Sequence, residues 1–500
     1  MNQSGLIDNG QKTVTGYLLE RLHQLGVEHV FGIPGDFILP FFQILMDSKI
    51  EHIAACNELD CGYAADGYAR EKGLAAIAVT YGAGSFCTVN AIAGAYAEKV
   101  PLLLISGGPP AANYLTQPTM HHTLPKKYDA SINIFSQITA HAKFVSDASS
   151  APAMIDEALE ICLRESRPVY LEIPMDVQSQ VCESAELSSI NYDNVCIESD
   201  KASLDKALKM LTDRLSGKEN SAILLGQEVS RSGLQDTVVQ LVRHANIPVI
   251  SMFDEKPYYV EHLEQCVGIY QGGCSDPEVN KFVESADTLL FLGVVDSDFN
   301  FGGALASLGQ KNCVWVFDRK VKAGEITYDN VSIVDLVDGL LSSLPENVGT
   351  MESVPRNVFY YRSNDPYDVD SSAKMTSDRL YQRLAHFIKS DDILVADGPA
   401  AVNAVQIQLP EGSKYMASSY WAAIGHGFAA SLGTCLAAEK DRRVLVLVGD
   451  GSFQIGGHEL SSMVRYGVTP IIFLVNNKGY TAERLIHDGA FNDVAHWQYH

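Results

Sequence analysis

Several features are missing from this sequence of 500 residues, and each absence narrows the class of protein. No stretch approaches about 18 uninterrupted apolar residues, so the sequence predicts no membrane-spanning helix. The N-terminus has neither a basic start nor an apolar segment behind it, so we expect no secretory signal. There is no low-complexity tract and no short-period repeat, so nothing indicates a repeat architecture.

Basic residues and closely spaced cysteine pairs are scarce as well. Lysine and arginine number 37 against 61 aspartates and glutamates, which gives a formal net charge of −24. A net negative charge of this size repels phosphate backbones and anionic membranes, so we expect no nucleic-acid partner and no membrane partner. The ten cysteines have no CxxC spacing, and many lie in apolar surroundings. This pattern is typical of a reduced, cytoplasmic protein without a disulfide frame or a cysteine-bound zinc ion.

What the sequence does contain is an alternation of short apolar runs and longer helical stretches. Continuous apolar runs of this length suit strands that are buried on both faces of a parallel sheet. The predicted strands are Leu102–Ser106, Val169–Ile173, Ala222–Leu225, Leu289–Gly293, Val314–Phe317, Ile393–Ala396, Val444–Val448 and Ile471–Val475. Between them lie amphipathic helices, one of which places Leu204, Leu208 and Leu211 on a single face. The alternation predicts α/β sheets throughout the chain.

Two polar stretches interrupt this alternation and are predicted to be linkers. They are Cys182–Asp200 and Leu344–Thr376. They leave blocks at 1–182, 200–343 and 373–500, in agreement with the roughly three domains that this length suggests. The predicted fold class is therefore α/β, with three domains that each hold a mostly parallel sheet flanked by helices.

The strongest functional motif is Gly449-Asp450-Gly451 at the end of a predicted strand, with Asn476-Asn477 after the next strand. Neighbouring parallel strands would bring both motifs to the same sheet edge, where α/β proteins bind ligands. The glycines let the backbone approach a phosphate, and the following helix offers free N–H groups. Asp450, Asn477 and a backbone carbonyl would supply hard oxygen ligands to Mg²⁺. Taken singly, an Asp-Gly turn and an Asn-Asn helix cap are commoner explanations.

This pair of motifs resembles the signature of thiamine diphosphate-dependent enzymes. The resemblance runs through nearly the whole chain and is closest to the 2-oxo acid decarboxylases, which include pyruvate, indolepyruvate and phenylpyruvate decarboxylases. It implies thiamine diphosphate and Mg²⁺ as cofactors, with Asp450, Asn477 and the carbonyl of Gly479 as the metal ligands. The implied contacts to the diphosphate are Gly449, Asp450, Gly451 and Ser452.

The same resemblance implies a thiamine diphosphate-binding fold. Its parts are a pyrimidine-binding domain at 1–182, a Rossmann-like central domain at 200–343 and a diphosphate- and Mg²⁺-binding domain at 373–500. The central segment Gly293–Gly303 departs from GxGxxG, so we predict no flavin or nicotinamide there. Family members carry a further segment after the position of His500 that helps to close the site, so we expect the last domain to be truncated.

Glu58 is the candidate catalytic residue of the N-terminal block. The segment Cys56–Arg70 resembles the family segment whose glutamate contacts the pyrimidine ring of the cofactor. A carboxylic acid there would hydrogen-bond the ring and promote activation of the cofactor. Without the resemblance, Glu58 would be explained as a helix N-terminal charge that the helix dipole favours.

Further acid–base residues complete the implied site. The segment Phe31–Phe37 resembles the family loop that brings an aspartate into the site, here Asp36. His121 and His122 match the paired histidines typical of the decarboxylases, and Glu483 adds an acid just past the metal ligands. Histidines beside carboxylates suit protonation of a carbanion and product release. Without the resemblance, the histidine pair could equally belong to a surface loop, or consist of one exposed and one core residue.

The segment Tyr420–Gly427 resembles the family turn that braces the cofactor. There the resemblance makes Ile424 the bulky aliphatic residue that wedges between the two cofactor rings. It makes the carbonyl of Ala422 the acceptor for the amino group of the pyrimidine. An apolar helix start would explain the same residues.

The chain departs from the family at two places that we expect to line the substrate pocket. The segment Asp397–Ala401 lacks the threonines common there, with Gly398 and Ala400 in their place. Ala482, directly before Glu483, stands where the family has a larger aliphatic residue. Each missing methylene in an apolar pocket is worth roughly 1–3 kcal/mol of discrimination. We therefore predict a preference for bulky, aromatic or branched substrates over pyruvate.

The resemblance implies an enzyme, a thiamine diphosphate-dependent carboxy-lyase that converts a 2-oxo acid to an aldehyde and CO₂ without oxidation. Family enzymes are homodimers or homotetramers whose active sites are shared between subunits, so Glu58 and Asp450 would serve one site from different subunits. Two alternatives stay open. A carboligase or acetohydroxyacid-synthase-like transferase would usually bind FAD and lack the histidine pair. A catalytically silent thiamine-binding scaffold would not need Glu58, Asp450 and Asn477 together.

Overall fold

The computed structural model describes residues 6–7, 11–182, 198–216, 220–302, 308, 313–398 and 400–487. These residues fall into two compact units, each of which is discontinuous in sequence. Unit 1 takes the described residues of Met1–Val195, Ala423–Lys440 and Ser452–Pro470. Unit 2 takes those of Cys196–Ala422, Asp441–Gly451 and Ile471–His500.

The N-terminal part of unit 1 is built on strands with helices between them. The strands are β1 (Leu6–Ile7), β2 (Gln11–Thr13), β3 (His29–Gly32), β4 (Glu51–Ile53), β5 (Ala75–Thr80), β6 (Leu102–Gly108), β7 (His141–Phe144), β8 (Val169–Pro174) and β9 (Val181–Cys182). The helices are α1 (Val14–Gln24), α2 (Leu39–Met46), α3 (Glu58–Lys72), α4 (Ala83–Cys87), α5 (Val89–Ala97), α6 (Ala111–Thr116), α7 (Ala130–Phe135), α8 (Ala151–Glu165) and α9 (Met175–Gln178).

Six of these strands form one parallel sheet in the order β4-β3-β5-β6-β8-β7. Every residue of β5, β6 and β8 is buried, which explains why the central strands are mostly apolar along their whole length. The strands β1, β2 and β9 form a small antiparallel sheet. The parallel sheet leaves the carboxyl end of β5 at its centre.

The first part of unit 2 contains a second sheet. Its strands are β10 (Ser221–Leu225), β11 (Val249–Met252), β12 (Cys266–Tyr270), β13 (Thr288–Leu292), β14 (Cys313–Phe317), β15 (Lys320–Ala323) and β16 (Ile326–Asp329). Its helices are α10 (Lys201–Leu215), α11 (Gln227–Arg231), α12 (Gln235–Ala245), α13 (Pro277–Ser285), α14 (Asp298–Phe301) and α15 (Ile333–Ser343). The strand order is β12-β11-β10-β13-β14-β15-β16, parallel except for the antiparallel pairs β14–β15 and β15–β16.

The last elements are divided between the two units. They are α16 (Ser377–Phe387), β17 (Ile393–Ala396), α17 (Ala400–Ala404), β18 (Lys414–Ala417), α18 (His426–Ala437), β19 (Val444–Gly449), α19 (Asp450–Gly456), α20 (Leu460–Tyr466), β20 (Ile471–Val475) and α21 (Thr481–Ile486). The four strands belong to unit 2 and form a parallel sheet in the order β18-β17-β19-β20. The helices α18 and α20 belong to unit 1.

Within unit 1, helix α18 packs closely along α3. A Cβ at Gly433 of α18 would overlap the carbonyl oxygen of Ala64, and one at Gly67 of α3 would overlap that of Ala430. One glycine on each helix therefore allows the two backbones to touch. His426, the first residue of α18, bonds Asp66 of α3 through Nε2 over 2.9 Å.

The fold class predicted from the sequence is confirmed for the described residues. Ile393–Ala396 and Ile471–Val475 have the predicted bounds, and the other predicted strands differ only at their ends. The predicted linker Leu344–Thr376 contains no helix or strand in the part of the chain described, and most of Cys182–Asp200 lies outside it. The cysteines that the structure describes are all free. No helix among the described residues has the length and apolar character that a membrane crossing requires.

Candidate functional site

One group of predicted site residues, all in unit 1, lies where β5 ends. Thr80 is the last residue of β5, and three glycines let neighbouring segments approach it. A Cβ at Gly35 would lie 2.6 Å from the Cβ of Thr80, and one at Gly84 would lie 3.1 Å from its Cγ2. Gly82 has a φ of +64°, and a Cβ there would overlap the carbonyl oxygen of His122. Three segments of the chain therefore converge on the end of this strand.

Asp36, His121 and His122 meet at this point and are called the Asp36 cluster below. Nε2 of His121 is hydrogen-bonded to Oδ2 of Asp36, and Nε2 of His122 lies 3.7 Å from Oδ1. The Oγ1 of Thr80 donates to the same Oδ1 over 3.4 Å. Phe37 stacks on His121 with the ring centroids 5.1 Å apart. The side chain of His121 is 61% exposed, so the cluster offers a carboxylate and two imidazoles at an accessible surface.

Opposing influences act on the pKa of the Asp36 carboxyl. Partial burial raises this pKa, but the hydrogen bond and charge of His121, the backbone N–H of Phe37 and the charge of His122 lower it. The lowering prevails, so the pKa of Asp36 lies below its ordinary value. Asp36 is therefore a carboxylate at neutral pH and holds the ring of His121 by one nitrogen.

Glu58 is the first residue of α3, next to this group. The preceding Asn57 caps the helix, since its side chain accepts from the backbone N–H of Asp60 over 2.9 Å. The Glu58 side chain is half-buried, and a Cβ at Gly84 would lie 3.3 Å from its Oε1. The helix dipole favours a carboxylate at this position. Glu58 and the Asp36 cluster thus border the same glycine-containing turn after β5.

Tyrosine side chains fix the segment 118–128, which carries the histidine pair and is called the histidine segment below. The hydroxyl of Tyr128 donates to the carbonyl of Pro118 over 2.6 Å. The hydroxyl of Tyr81, the residue after β5, donates to the carbonyl of Tyr128 over 2.8 Å. These bonds tie both ends of the segment to the sheet that holds Thr80.

A buried carboxyl group on β8 holds helix α6, which directly precedes the histidine segment. The hydroxyls of Tyr114 and Tyr170 each donate to Glu172 over 2.6 Å. Burial raises the pKa of Glu172 to about 7, although both tyrosine hydrogen bonds lower it. A Cβ at Gly108 would overlap the hydroxyl of Tyr114, so this glycine makes room for the anchor.

The predicted metal ligands lie in unit 2. The strands β19 and β20 pair in parallel with Gly449 opposite Val475, so the motifs that follow them share one sheet edge. The Oδ2 of Asp450 accepts from the N–H of Gly479 over 2.9 Å, and its Oδ1 accepts from the N–H of Gly451 over 2.8 Å. Asp450 is 6% exposed. The structure thus brings Asp450 and Gly479 together.

These residues fit a divalent cation with a diphosphate beside it. Asn477 is exposed between β20 and Gly479. A Cβ at Gly449 would meet nothing within 4 Å, so there is open space at the strand end, whereas one at Gly451 would lie 2.5 Å from the ring of Tyr480. A carboxylate, an amide and a backbone carbonyl are the oxygen ligands that Mg²⁺ prefers.

The remaining predicted residues take separate positions. Ser452 and Ile424 lie in unit 1, the first buried and the second half-buried. Ala422 lies in unit 2 with a φ of +55°, a left-handed conformation that alanine rarely adopts. Glu483 is exposed in the first turn of α21. The alternative explanation, a helix start, holds only for the end of this segment, because α18 begins at His426.

The sequence interpretation missed Thr80, Gly82 and Gly84, although a signal was present. The run Thr80-Tyr-Gly-Ala-Gly84 directly follows a buried strand, as Gly449-Asp450-Gly451 does. It also missed the Tyr114–Glu172 contact, for which no local pattern exists.

Three family models match the chain. They are the N-terminal TPP binding domain of thiamine pyrophosphate enzymes at residues 12–131, the central domain at 208–344 and the C-terminal TPP binding domain at 398–495. Thiamine pyrophosphate is thiamine diphosphate. The first match contains Glu58 and the Asp36 cluster, and the last contains Asp450 and Gly479.

Curated relatives match over nearly the full chain. A probable pyruvate decarboxylase of Schizosaccharomyces pombe is 31% identical over 492 residues, which are 97% of this chain and 85% of that protein. Pyruvate decarboxylase 1 of Oryza sativa subsp. indica is 32% identical over 498 residues, with coverages of 97% and 81%. Pyruvate decarboxylase 1 of Arabidopsis thaliana is 31% identical over 491 residues, with coverages of 97% and 80%.

The family matches, the relatives and the geometry at the ends of β5 and β19 all agree. The chain therefore belongs to the thiamine diphosphate-dependent 2-oxo acid decarboxylase family, and it is a carboxy-lyase that uses thiamine diphosphate.

Proposed function

We propose that this chain decarboxylates a bulky 2-oxo acid, aromatic or branched, and releases the corresponding aldehyde. The observation that supports this activity best is the Asp36 cluster beside Glu58 at the end of β5. A fixed carboxylate and two accessible imidazoles are suited to moving protons near neutral pH. A silent thiamine-binding scaffold would have no use for such an arrangement.

When bound, thiamine diphosphate supplies an acceptor for the electrons that CO₂ leaves behind. We assign Asp450, Asn477 and the carbonyl of Gly479 to Mg²⁺. We assign Gly449, Gly451 and Ser452 to the diphosphate, and Ile424 with the carbonyl of Ala422 to bracing the cofactor. Glu58 would hydrogen-bond the pyrimidine ring, a role that its half-buried position at the start of α3 supports.

The acid–base roles follow from the contacts within the Asp36 cluster. Asp36 orients His121 through its contact with Nε2, and its Oδ1 lies 3.7 Å from Nε2 of His122. We assign to His121 and His122 the protonation of the carbon that has lost CO₂ and assistance in aldehyde release. Glu483, exposed on α21, is assigned as a further acid.

The substrate assignment rests on small side chains where the sequence predicts a pocket. Gly398 has a φ of +53°, and Ala482 is half-buried on α21. Ala400, in contrast, packs in a hydrophobic core with Tyr381 and is not expected to add pocket volume. The proposal therefore depends mainly on Ala482. The matched relatives are named for pyruvate, which is the competing substrate.

We also propose a homodimer or homotetramer in which Glu58 and Asp450 of different protomers serve one active site. The proposed domains are 1–182, 200–343 and 373–500, and each contains one of the three larger sheets. Free cysteines among the described residues support the proposed cytoplasmic location.

The test is aldehyde and CO₂ release from a panel of 2-oxo acids, with thiamine diphosphate and Mg²⁺ supplied. We expect kcat/KM to be higher for phenylpyruvate or indolepyruvate than for pyruvate, and Ala482→Ile to shift this ratio toward pyruvate by roughly 10-fold or more. Gly273→Ala, at an exposed glycine of unit 2 with open space around its Cβ position, is the control. A wild type that prefers pyruvate would refute the pocket proposal, whereas acyloin formation in excess of aldehyde would favour the carboligase alternative.

A further inference from the structure

A second group of titratable side chains lies in unit 1 and has no role in the proposed decarboxylation. Asp60 is on α3, and His458 and Glu459 are in the 3₁₀ turn Gly457–Glu459. One ligand atom from each residue lies within 4.8 Å of the other two. Nε2 of His458 is 2.5 Å from Oδ2 of Asp60 and 3.9 Å from Oε1 of Glu459. These three residues are called the Asp60 cluster.

Both carboxyl groups of the Asp60 cluster are buried. Asp60 is 2% exposed and Glu459 is 0% exposed. The Oε1 of Glu459 accepts from the backbone N–H of Cys56 over 2.6 Å. Its Oε2 is also buried, and it has no hydrogen-bond partner among the residues that the structure describes. A buried carboxyl oxygen without a donor is unfavourable unless a proton or a cation compensates it.

An ion pair between His458 and Asp60 explains only part of this arrangement. It accounts for the short distance between Nε2 and Oδ2. It leaves Oε2 of Glu459 without a partner, and it places a second buried carboxyl group beside the first without a second cation. A ligand that contacts all three side chains at once would compensate both carboxylates.

The surroundings of the Asp60 cluster resemble the outer hydrogen bonds of metal sites. Asn57 Nδ2 donates to Oδ2 of Asp60 over 2.6 Å, while the N–H of Cys56 holds Glu459. Such bonds orient carboxylate ligands before a metal ion arrives. The side chain of His458 is 43% exposed, which gives an ion a path from solvent and leaves room for a water ligand.

We propose that Asp60, His458 and Glu459 bind a divalent transition-metal ion, with Zn²⁺ as its probe. One imidazole, two carboxylates and a water molecule form a four-coordinate set of the kind that Zn²⁺ accepts. Bonds of about 2.0–2.2 Å in a tetrahedral site place ligand atoms about 3.3–3.6 Å apart, and the observed distances of 2.5 Å and 3.9 Å lie on either side of this range. The imidazole selects against Mg²⁺, which prefers oxygen ligands.

The position of the Asp60 cluster indicates a structural role for the ion. It would join the first turn of α3, which begins with Glu58, to the turn at Gly457–Glu459 within unit 1. This site is distinct from the Mg²⁺ ligands assigned at Asp450.

The experiment counts zinc in the full-length holoprotein. Protein saturated with thiamine diphosphate and Mg²⁺ is incubated with Zn²⁺, separated from free metal by gel filtration and analysed by plasma mass spectrometry. We expect His458→Gln and Asp60→Asn each to retain about one zinc equivalent per chain less than the wild type. His23→Gln, the same change at an exposed histidine of α1, should retain the full amount.

The Asp36 cluster is another group with metal-ligand spacing, so its contribution is removed separately. In a His121→Phe background, the loss caused by His458→Gln should persist. Equal zinc content with and without His458→Gln would overturn the proposal. Because His458 is partly exposed, this variant carries the test even if Asp60→Asn does not fold.

Thermal unfolding gives a second readout that does not depend on measuring the zinc content. A ligand that binds only the folded state raises Tm, so Zn²⁺ should raise the Tm of the wild type and of His23→Gln by more than that of His458→Gln. An equal rise of Tm in all three proteins would overturn the site, because the zinc would then bind elsewhere.

Discussion

Asp36 shows how a single carboxylate determines the chemistry of its neighbours. It contacts both His121 and His122, and Thr80 at the end of β5 donates to it. The hydrogen bond and charge of His121 keep the pKa of Asp36 low despite its partial burial. Asp36 therefore stays a carboxylate at neutral pH and offers both histidines a fixed negative partner.

The histidine pair is expected to matter for turnover rather than for cofactor binding. We predict that His121→Phe and His122→Phe each lower kcat by roughly 10²–10⁴-fold, because a positioned proton donor is lost. Calorimetry should show unchanged binding of thiamine diphosphate with Mg²⁺. His23→Gln on α1 serves as the control. Normal turnover in both Phe variants would make the pair structural and strengthen the carboligase alternative.

Glu172 should make stability depend on pH. Burial raises its pKa to about 7 from an ordinary value of 4.5, so the folded state binds the proton more tightly than the unfolded state. This contribution is complete below about pH 4.5, falls as the pH rises toward 7 and is lost above it. A shift of this size corresponds to about 3 kcal/mol.

The check is urea unfolding at pH 5 and pH 8 for the wild type and Glu172→Gln. The neutral glutamine can still pair with the hydroxyls of Tyr114 and Tyr170, so the part of the pH dependence due to this group should disappear in the variant. An equal change of the free energy of unfolding between the two pH values in both proteins would contradict the assignment.

Site residues were predictable where a local motif carries them. Asp450 follows a buried strand and lies between two glycines, and its contact with Gly479 follows from parallel pairing of β19 and β20. Asp36 and the histidines are far apart in sequence, and only the family resemblance connected them. Glu172 could not be predicted, because its burial arises from contacts between β8 and a distant segment.

Helices α3 and α18 are held together by small residues. Gly433 and Gly67 let the backbones touch, and no side chain at either position could be accommodated without moving a carbonyl group of the facing helix. The hydrogen bond between His426 and Asp66 lies at the start of α18. The close contact therefore requires that neither Gly433 nor Gly67 carries a Cβ.

Gly433→Ala should destabilise the protein by roughly 1–3 kcal/mol or more, because overpacking forces a backbone shift. Gly339→Ala is the matched helical control. A Cβ there meets only the side-chain atoms of Leu208, and alanine gains helix propensity of up to about 1 kcal/mol over glycine. The measurement is the free energy of unfolding in denaturant. If Gly433→Ala were no less stable than Gly339→Ala, the close helix contact would be wrong.

The buried central strands were easier to predict from the sequence than the exposed edge strands or the packing between helices. Ile393–Ala396 and Ile471–Val475 have the predicted bounds because a strand buried on both faces needs a continuous apolar run. β15 and β16 have exposed polar positions and were not predicted. The α3–α18 pair was not predicted either, because glycine and alanine on two buried helices give no amphipathic period.

The proposed sharing of each active site between two protomers makes a prediction about mixtures of variants. Glu58→Gln and Asp450→Ala should each abolish most of the activity. A one-to-one mixture that reassembles at random should recover roughly a quarter of the wild-type activity, because half of the dimers are mixed and each mixed dimer has one intact site.

The assay is aldehyde formation after joint refolding or co-expression. The double variant, with both changes on one chain, is the control and should show no recovery when mixed with either single variant. Absence of recovery from the two single variants, in a sample shown to contain mixed dimers, would place both residues of a site on one protomer.

The three predicted blocks were a linear division of the chain, and the compact units are not linear. Unit 1 includes Ala423–Lys440 and Ser452–Pro470, far from its N-terminal sheet in sequence. Hydrophobic periodicity reports which face of an element is buried, but not which distant element covers it. This is why the partner of α3 could be found only in the structure.

The discontinuity of unit 1 has a consequence for the newly made protein. The segment that covers α3 leaves the ribosome only after more than half of the chain has followed α3. At about 5–20 residues per second, the face of α3 that α18 covers waits on the order of tens of seconds for its partner. We therefore expect this face to be the part of the nascent chain that most needs a chaperone, and genetic fragments that end before Ala423 to aggregate instead of yielding a folded N-terminal half.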